Sequence, residues 1–165
     1  MFRRLLPLLL LALLVGCRAG EPTPPVPTIG GSWAGTWVIV SCEELGADVV
    51  NLCAQLDLFP GTVSPFGARF LQAGASVNAV LVFGGETATT AGTVSSDGEL
   101  QLQDVQVLPS GRQSILIRNW RSRVVATGEM TGTFERFRTA TDLTGSLLVG
   151  GQLTDVRRTG SAPAR

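Results

Sequence analysis

The chain has 165 residues, with thirteen basic and thirteen acidic side chains and a formal net charge of zero. Every basic residue is Arg; Lys, His and Tyr are absent, which removes three side chains widely used in proton transfer, metal ligation and covalent catalysis. A neutral chain without Lys gives no basic field for nucleic acid, and its 20 Gly, well above the average usage of roughly 7%, point to strands and turns.

The N-terminus reads as an address. Arg3 and Arg4 precede an apolar run from Leu5 to Val15, broken only by Pro7. That run is too short to span about 30 Å of hydrocarbon but has the length of a signal-peptide core, so residues 1–16 are read as a signal peptide. Leu14-Val15-Gly16-Cys17 resembles the bacterial lipobox. The resemblance implies that the signal is removed before Cys17 and that Cys17 becomes a diacylated N-terminus, partnering the chain with a membrane. Acyl chains hold by about 0.8 kcal/mol per buried methylene. Arg18, where inner-membrane retention would call for Asp, implies the outer membrane as the anchor in the cell envelope. Residues 17–30 then form a lipidated N-terminus and tether, in which Pro22, Pro24, Pro25 and Pro27 favour an extended spacer at about 3.1 Å per residue. Residues 31–159 form one domain, and residues 160–165 a disordered tail.

With Cys17 allotted to lipid, Cys42 and Cys53 remain, in a compartment that permits disulfides. A bridge needs a Cα separation of about 5.5 Å, whereas eleven uninterrupted helical steps would place the two residues about 16 Å apart. The segment must therefore fold back. Asp48 is predicted to cap a two-turn helix with Val49, Leu52, Cys53 and Leu56 on one face. A redox or metal role for the pair is disfavoured by its spacing and by the absence of His.

Elsewhere the pattern alternates with period two, punctuated by Gly. The first strand is predicted at 32–41, with Trp33, Gly35, Trp37 and Ile39 on one face. Strands follow at 64–72, through Phe66, Ala68 and Phe70, and at 77–83, through Val77, Ala79, Leu81 and Phe83. The fourth, at 86–95, turns at Ser96-Asp97-Gly98, where Asp-Gly tolerates positive φ, into a fifth at 99–107. Pro109-Ser110-Gly111 leads to a sixth at 113–121, through Ile115, Ile117 and Trp120. The last two lie at 126–138, through Met130, Gly132 and Phe134, and at 143–157, through Leu147, Val149 and Leu153. Eight sequential strands with short links make an all-β, up-and-down antiparallel barrel, which removes sheet edges. A membrane-spanning barrel is set aside because Arg118, Arg121, Arg123, Arg136 and Arg138 stud the strands and aromatic residues are few.

Gly31-Ser32-Trp33-Ala34-Gly35-Thr36-Trp37 resembles the Gly-x-Trp opening of the calycins: lipocalins, fatty-acid-binding proteins and avidins. The resemblance implies that the first-strand Trp closes one barrel end against an Arg of the last strand. Trp33 and Trp37, with Arg157 or Arg158, are the candidates, and an Arg over a Trp face contributes about 0.5–2 kcal/mol. Repeated Gly-Thr turns such as Met130-Thr131-Gly132-Thr133-Phe134 are similar to those of small lipocalin-like bacterial lipoproteins. Periplasmic metalloprotease inhibitors are a second resemblance: small eight-stranded barrels with a first-strand Trp and one disulfide near the N-terminus.

These features predict non-catalytic binding, of a small apolar ligand in the barrel or of an envelope component. Phe70, Leu81, Met130 and Phe134 are the candidate lining of an interior site. A protease-inhibitor-like protein-binding barrel and a structural envelope module with a filled core are the alternatives. No cofactor or metal is predicted: Asp97, Glu99 and Asp104 match no calcium loop, and no base exists to activate a Ser. Gly35, Gly132 and Gly145 are read as barrel corners, and Arg118, Arg121 and Arg123 as a solvated face.

Overall fold

The computed structural model describes residues 24–46, 51–84, 86–107, 113–125, 128–140 and 145–161. The expected signal peptide, Cys17, Asp48, Val49 and the Pro109-Ser110-Gly111 turn lie outside these. Nine strands are laid down: β1 (Gly31–Leu45), β2 (Val63–Ala73), β3 (Ser76–Phe83), β4 (Glu86–Val94), β5 (Glu99–Leu102), β6 (Val105–Val107), β7 (Gln113–Val124), β8 (Glu129–Ala140) and β9 (Ser146–Ser161), with one helix, α1 (Leu52–Gln55). The sheet order is β5-β4-β3-β2-β1-β9-β8-β7-β6, all antiparallel, and β5 also pairs with β7, closing the sheet into a barrel.

β5 and β6 share one register on β7: Leu100 faces Ser122 and Val105 faces Ile117, with the same offset on both sides of Gln103-Asp104. They act as one strand, so the closed barrel has eight, as the alternation predicts. Five of the strands, β1, β2, β7, β8 and β9, end beyond the predicted limits, whereas β4 stops one residue short, at Val94. β9 continues to Ser161, opposite Gly31, so the first two residues of the expected tail are ladder. The helix is a single turn rather than two. Asn51 precedes it in the left-handed region with φ 60° and makes no side-chain cap.

Closure depends on a short stretch. β4 pairs with β5 over only three residue pairs, Gly92–Val94 against Leu100–Leu102. There the strands approach so closely that a Cβ on Gly92 would sit 2.0 Å from the Gln101 carbonyl oxygen. Gly92→Ala is expected to part this seam and cost about 1–3 kcal/mol, with amide exchange in β4 and β5 rising ahead of that in β1. Uniform protection across the barrel would contradict it.

A second line of bends crosses three adjacent strands, β7, β8 and β9. Asn119 in β7 takes φ 52° where the register against β8 shifts, and Asp155 in β9 takes φ 53° beside the shift between Met130 and Gly132. Gly132 sits in this line, where a Cβ would lie 2.4 Å from the Arg121 carbonyl oxygen. Such bulges coil the sheet tightly enough to close. The bulge at Asn119 also changes which residues face inward, so Ile115, Ile117, Trp120 and Ser122 are all buried.

The interior is filled. Trp37, Phe66, Phe83, Trp120 and Phe134 form one cluster, with ring centroids 5.1 to 6.3 Å apart. Ser122 is buried because its Oγ accepts the Trp120 indole N–H at 2.9 Å. Leu81, Val77, Leu100 and Met130 complete the core on its flanks.

Candidate functional site

The two barrel ends are closed by different devices. At one end the chain enters along a strap, residues 26–30, lying within the stretch that the sequence assigns to the tether. Ile29 is fully buried and Val26 packs against the core. Gln72 of β2 holds the strap from both sides: its Oε1 accepts the Ile29 N–H at 2.7 Å, and its Nε2 donates to the Pro27 carbonyl at 3.0 Å. The Trp33 indole N–H donates to the Ile29 carbonyl at 2.9 Å.

Of the two candidate arginines, Arg158 stands over Trp33, its Cζ 5.1 Å from the ring centroid, and donates to the Thr28 carbonyl. Arg157 instead points outward and pairs with Glu129 at 3.0 Å. Trp33 meets Phe70 edge-on at this end, at 6.4 Å. Trp37 lies deeper, in the aromatic cluster, with its indole N–H buried and without a hydrogen-bond partner.

The four residues predicted to line an interior site are all buried, at 0 to 2% exposure. Phe134 is held between Trp37, Phe83 and Trp120, Phe70 lies against Trp33, and Leu81 and Met130 occupy the core beside them. Five clefts on the described surface measure about 260 to 460 Å³. Phe134 borders one of them through the gap that Gly150 and Gly151 leave in β9; Phe70, Leu81 and Met130 border none of the five.

The far end is covered by α1 and its flanking turns. The Cys42–Cys53 disulfide forms, with Cα atoms 6.2 Å apart. It ties α1 to the end of β1, while Glu44 Oε1 accepts the Cys53 N–H at 2.9 Å and Leu52 is buried beneath. Inside this end Arg136 pairs with Glu86 across the barrel from β8 to β4, both largely shielded from solvent. The sequence places Arg136 among charges studding the strands. The register sets it opposite Ile117 and Val149, hence facing inward.

The wall formed by β5, β7 and β8 carries much of the remaining charge, and several of its charged residues are paired. Arg118 pairs with Glu135 at 2.8 Å and lies over the Phe137 ring, and Arg123 pairs with Asp97 at 3.1 Å. The Asp97 carboxyl is held below its ordinary range, chiefly by the Ser95 hydroxyl, then by its own backbone amide, with Arg123 adding a smaller pull. Those contacts operate above pH about 3.8 and fade as acid titrates the carboxylate through its lowered value. Glu99 accepts from Gln101, and Asp104 from the Asn119 N–H. Each acid of the weighed calcium trio is thus separately engaged, and among the described residues no cluster of metal-ligating side chains occurs.

Sequence reasoning missed Ile29 and Gln72, whose pairing spans 43 positions, and the exposed apolar residues beside α1. The chain matches no protein-family model, no curated protein and no solved structure.

Proposed function

We propose that this chain is a lipid-anchored envelope lipoprotein whose calycin-like barrel is a non-catalytic binding module that engages an envelope protein through its outer surface. The observation that carries this reading is the filled interior. An apolar ligand is held by burying its surface at roughly 25 cal/mol per Å², and here that space is taken by five interlocked aromatic rings. Apolar ligand sites ordinarily offer about 300 Å³ or more of concave space. A filled core that braces an exterior surface supports the protein-facing reading over interior ligand capture. A purely structural module shares this core and differs in having no partner.

The strap supports the anchoring part. It delivers the N-terminal chain to one barrel end, so that a lipid on Cys17 would hold the domain from that end. The test is fractionation of the full-length chain beside Cys17→Ser, with native mass spectrometry of the protein extracted from its own envelope. Expected are release of the variant into the soluble fraction and a mass with acyl chains but no retained ligand. A Cys17→Ser protein that stays with the membrane sinks the anchor. A retained apolar ligand sinks the exterior-binding reading.

A further inference from the structure

We propose that the barrel end capped by α1 is a protein-docking surface, and that its partner presents an apolar contact rimmed by cationic side chains. This rests on the reading of the chain as an anchored binding barrel, and names where it binds and what it binds.

Five of the eight large apolar side chains exposed among the described residues lie here: Val63 at 60%, Phe59 at 51%, Val40 at 48%, Leu45 at 40% and, in the adjoining cleft, Val82 at 38%. The backbone brings the first three together. Ile39 N–H donates to the Thr62 carbonyl at 3.0 Å, Gly61 N–H donates to the Ile39 carbonyl at 2.8 Å, and Val63 faces Val38 in the ladder. Val63 leads along β2 into a cleft of about 450 Å³ lined by Pro65, Phe66, Gly67, Val82 and Gly84, with no charged side chain. The cleft exists because residue 67 lacks a side chain, and it is wide enough that a Cβ there would make ordinary contact, 3.7 Å from Val82 Cβ. The disulfide ties Cys53 of α1 to Cys42 of β1 beside this surface, which limits the ordering entropy lost on docking.

Charge selects the occupant. From residue 31 to residue 68 the charged residues are Glu43, Glu44, Asp48 and Asp57, with no Arg among them. Glu43 and Asp57 are exposed, while the Glu44 carboxylate is engaged by the Cys53 N–H. A bilayer with anionic head groups is repelled by such a rim. A second copy in a two-fold dimer would bring the same carboxylates against themselves. A partner with Lys or Arg around an apolar centre meets both features at once.

Position agrees. The 15 residues of β1, at about 3.3 Å each and tilted about 40°, separate the two barrel ends by about 38 Å. Residues 1–23 join at the strap end, and the seven residue steps from Cys17 to Pro24 reach at most about 25 Å. The α1 end is thus the one held away from the anchor.

The test places a photo-crosslinking phenylalanine analogue at position 59 of the full-length chain in the cells that make it, and at Thr131 on the opposite wall as the comparison. Expected is one protein adduct from position 59 and none of that size from position 131. The adduct should fall about tenfold when Glu43→Arg and Asp57→Arg are combined, and fall again with Gly67→Gln, which fills the cleft. These positions lie on the surface, and an unchanged unfolding temperature confirms that each variant is folded. No adduct from position 59, an equal adduct from 131, or one that survives charge reversal in a folded variant overturns the proposal. So does an adduct of twice the chain's mass, which identifies a second copy, or one with lipid, which identifies the bilayer. Anchoring is read separately: if Cys17→Ser leaves the chain soluble but still crosslinked, docking stands without tethering, and a chain that fractionates with the membrane yet yields no adduct fails on docking alone.

Discussion

Phe134→Ala is expected to lower barrel stability by about 3–5 kcal/mol. The Phe134 ring stacks on Trp120 at 5.3 Å with planes 19° apart, and also meets Phe83 at 5.1 Å and Trp37 at 5.4 Å. Its fourth neighbour is Gly151, where a Cβ would stand 2.4 Å from the ring. Four strands therefore place their cross-section around one side chain. Large rings held by their own neighbours cannot collapse into the space it leaves, so the cavity term adds in full to the lost transfer energy. For a domain of this size the melting temperature should drop by about 10–15 °C, read by calorimetry. A loss below about 1.5 kcal/mol would mean that the core has slack, and slack would restore the case for an interior ligand.

The second large effect is expected from the disulfide. Cys42→Ala combined with Cys53→Ala releases a loop of eleven residue steps, which on chain-entropy grounds costs about 3 kcal/mol. The native fold should persist, because β1 keeps its ladders to β2 and β9 on both sides. What loosens first is α1, which meets the barrel through Leu52 and the Glu44 carboxylate. Urea unfolding of the oxidised protein beside the double variant measures the difference. A shift below about 1 kcal/mol would show that the segment is already restricted in the unfolded chain.

Much of this architecture is legible in the sequence because alternation and Gly punctuation are local signals. The eight strands follow directly from runs such as Val77, Ala79, Leu81 and Phe83, which the barrel buries at every second position. The disulfide is legible too, since little else remains for Cys42 and Cys53. What local patterns miss depends on residues far apart in the chain. Pro24, Pro25 and Pro27 read as a spacer, and only Gln72, on another strand, reveals that the residues beside them are docked. Arg136 reads as a surface charge until its register on Ile117 and Val149 turns it inward to Glu86. The choice between Arg157 and Arg158 hangs on the bulge at Asp155, which shifts the alternation just before them. Phe59 and Val63, which the period-two pattern does not single out, are exposed at the turn whose backbone bonds to Ile39 of β1.

The strap also determines how the molecule carries force. A pull on the chain before Pro24 loads the Gln72 hydrogen bonds and the Thr28–Arg158 contact first. If these yield and Ile29 is drawn from its seat, tension passes to β1, which is paired along its length with β9 and over its first half with β2. The load thus falls on the most fully bonded strand of the sheet, along its axis, where many ladder bonds share it at once. The chain is strongest where a tether would tug on it.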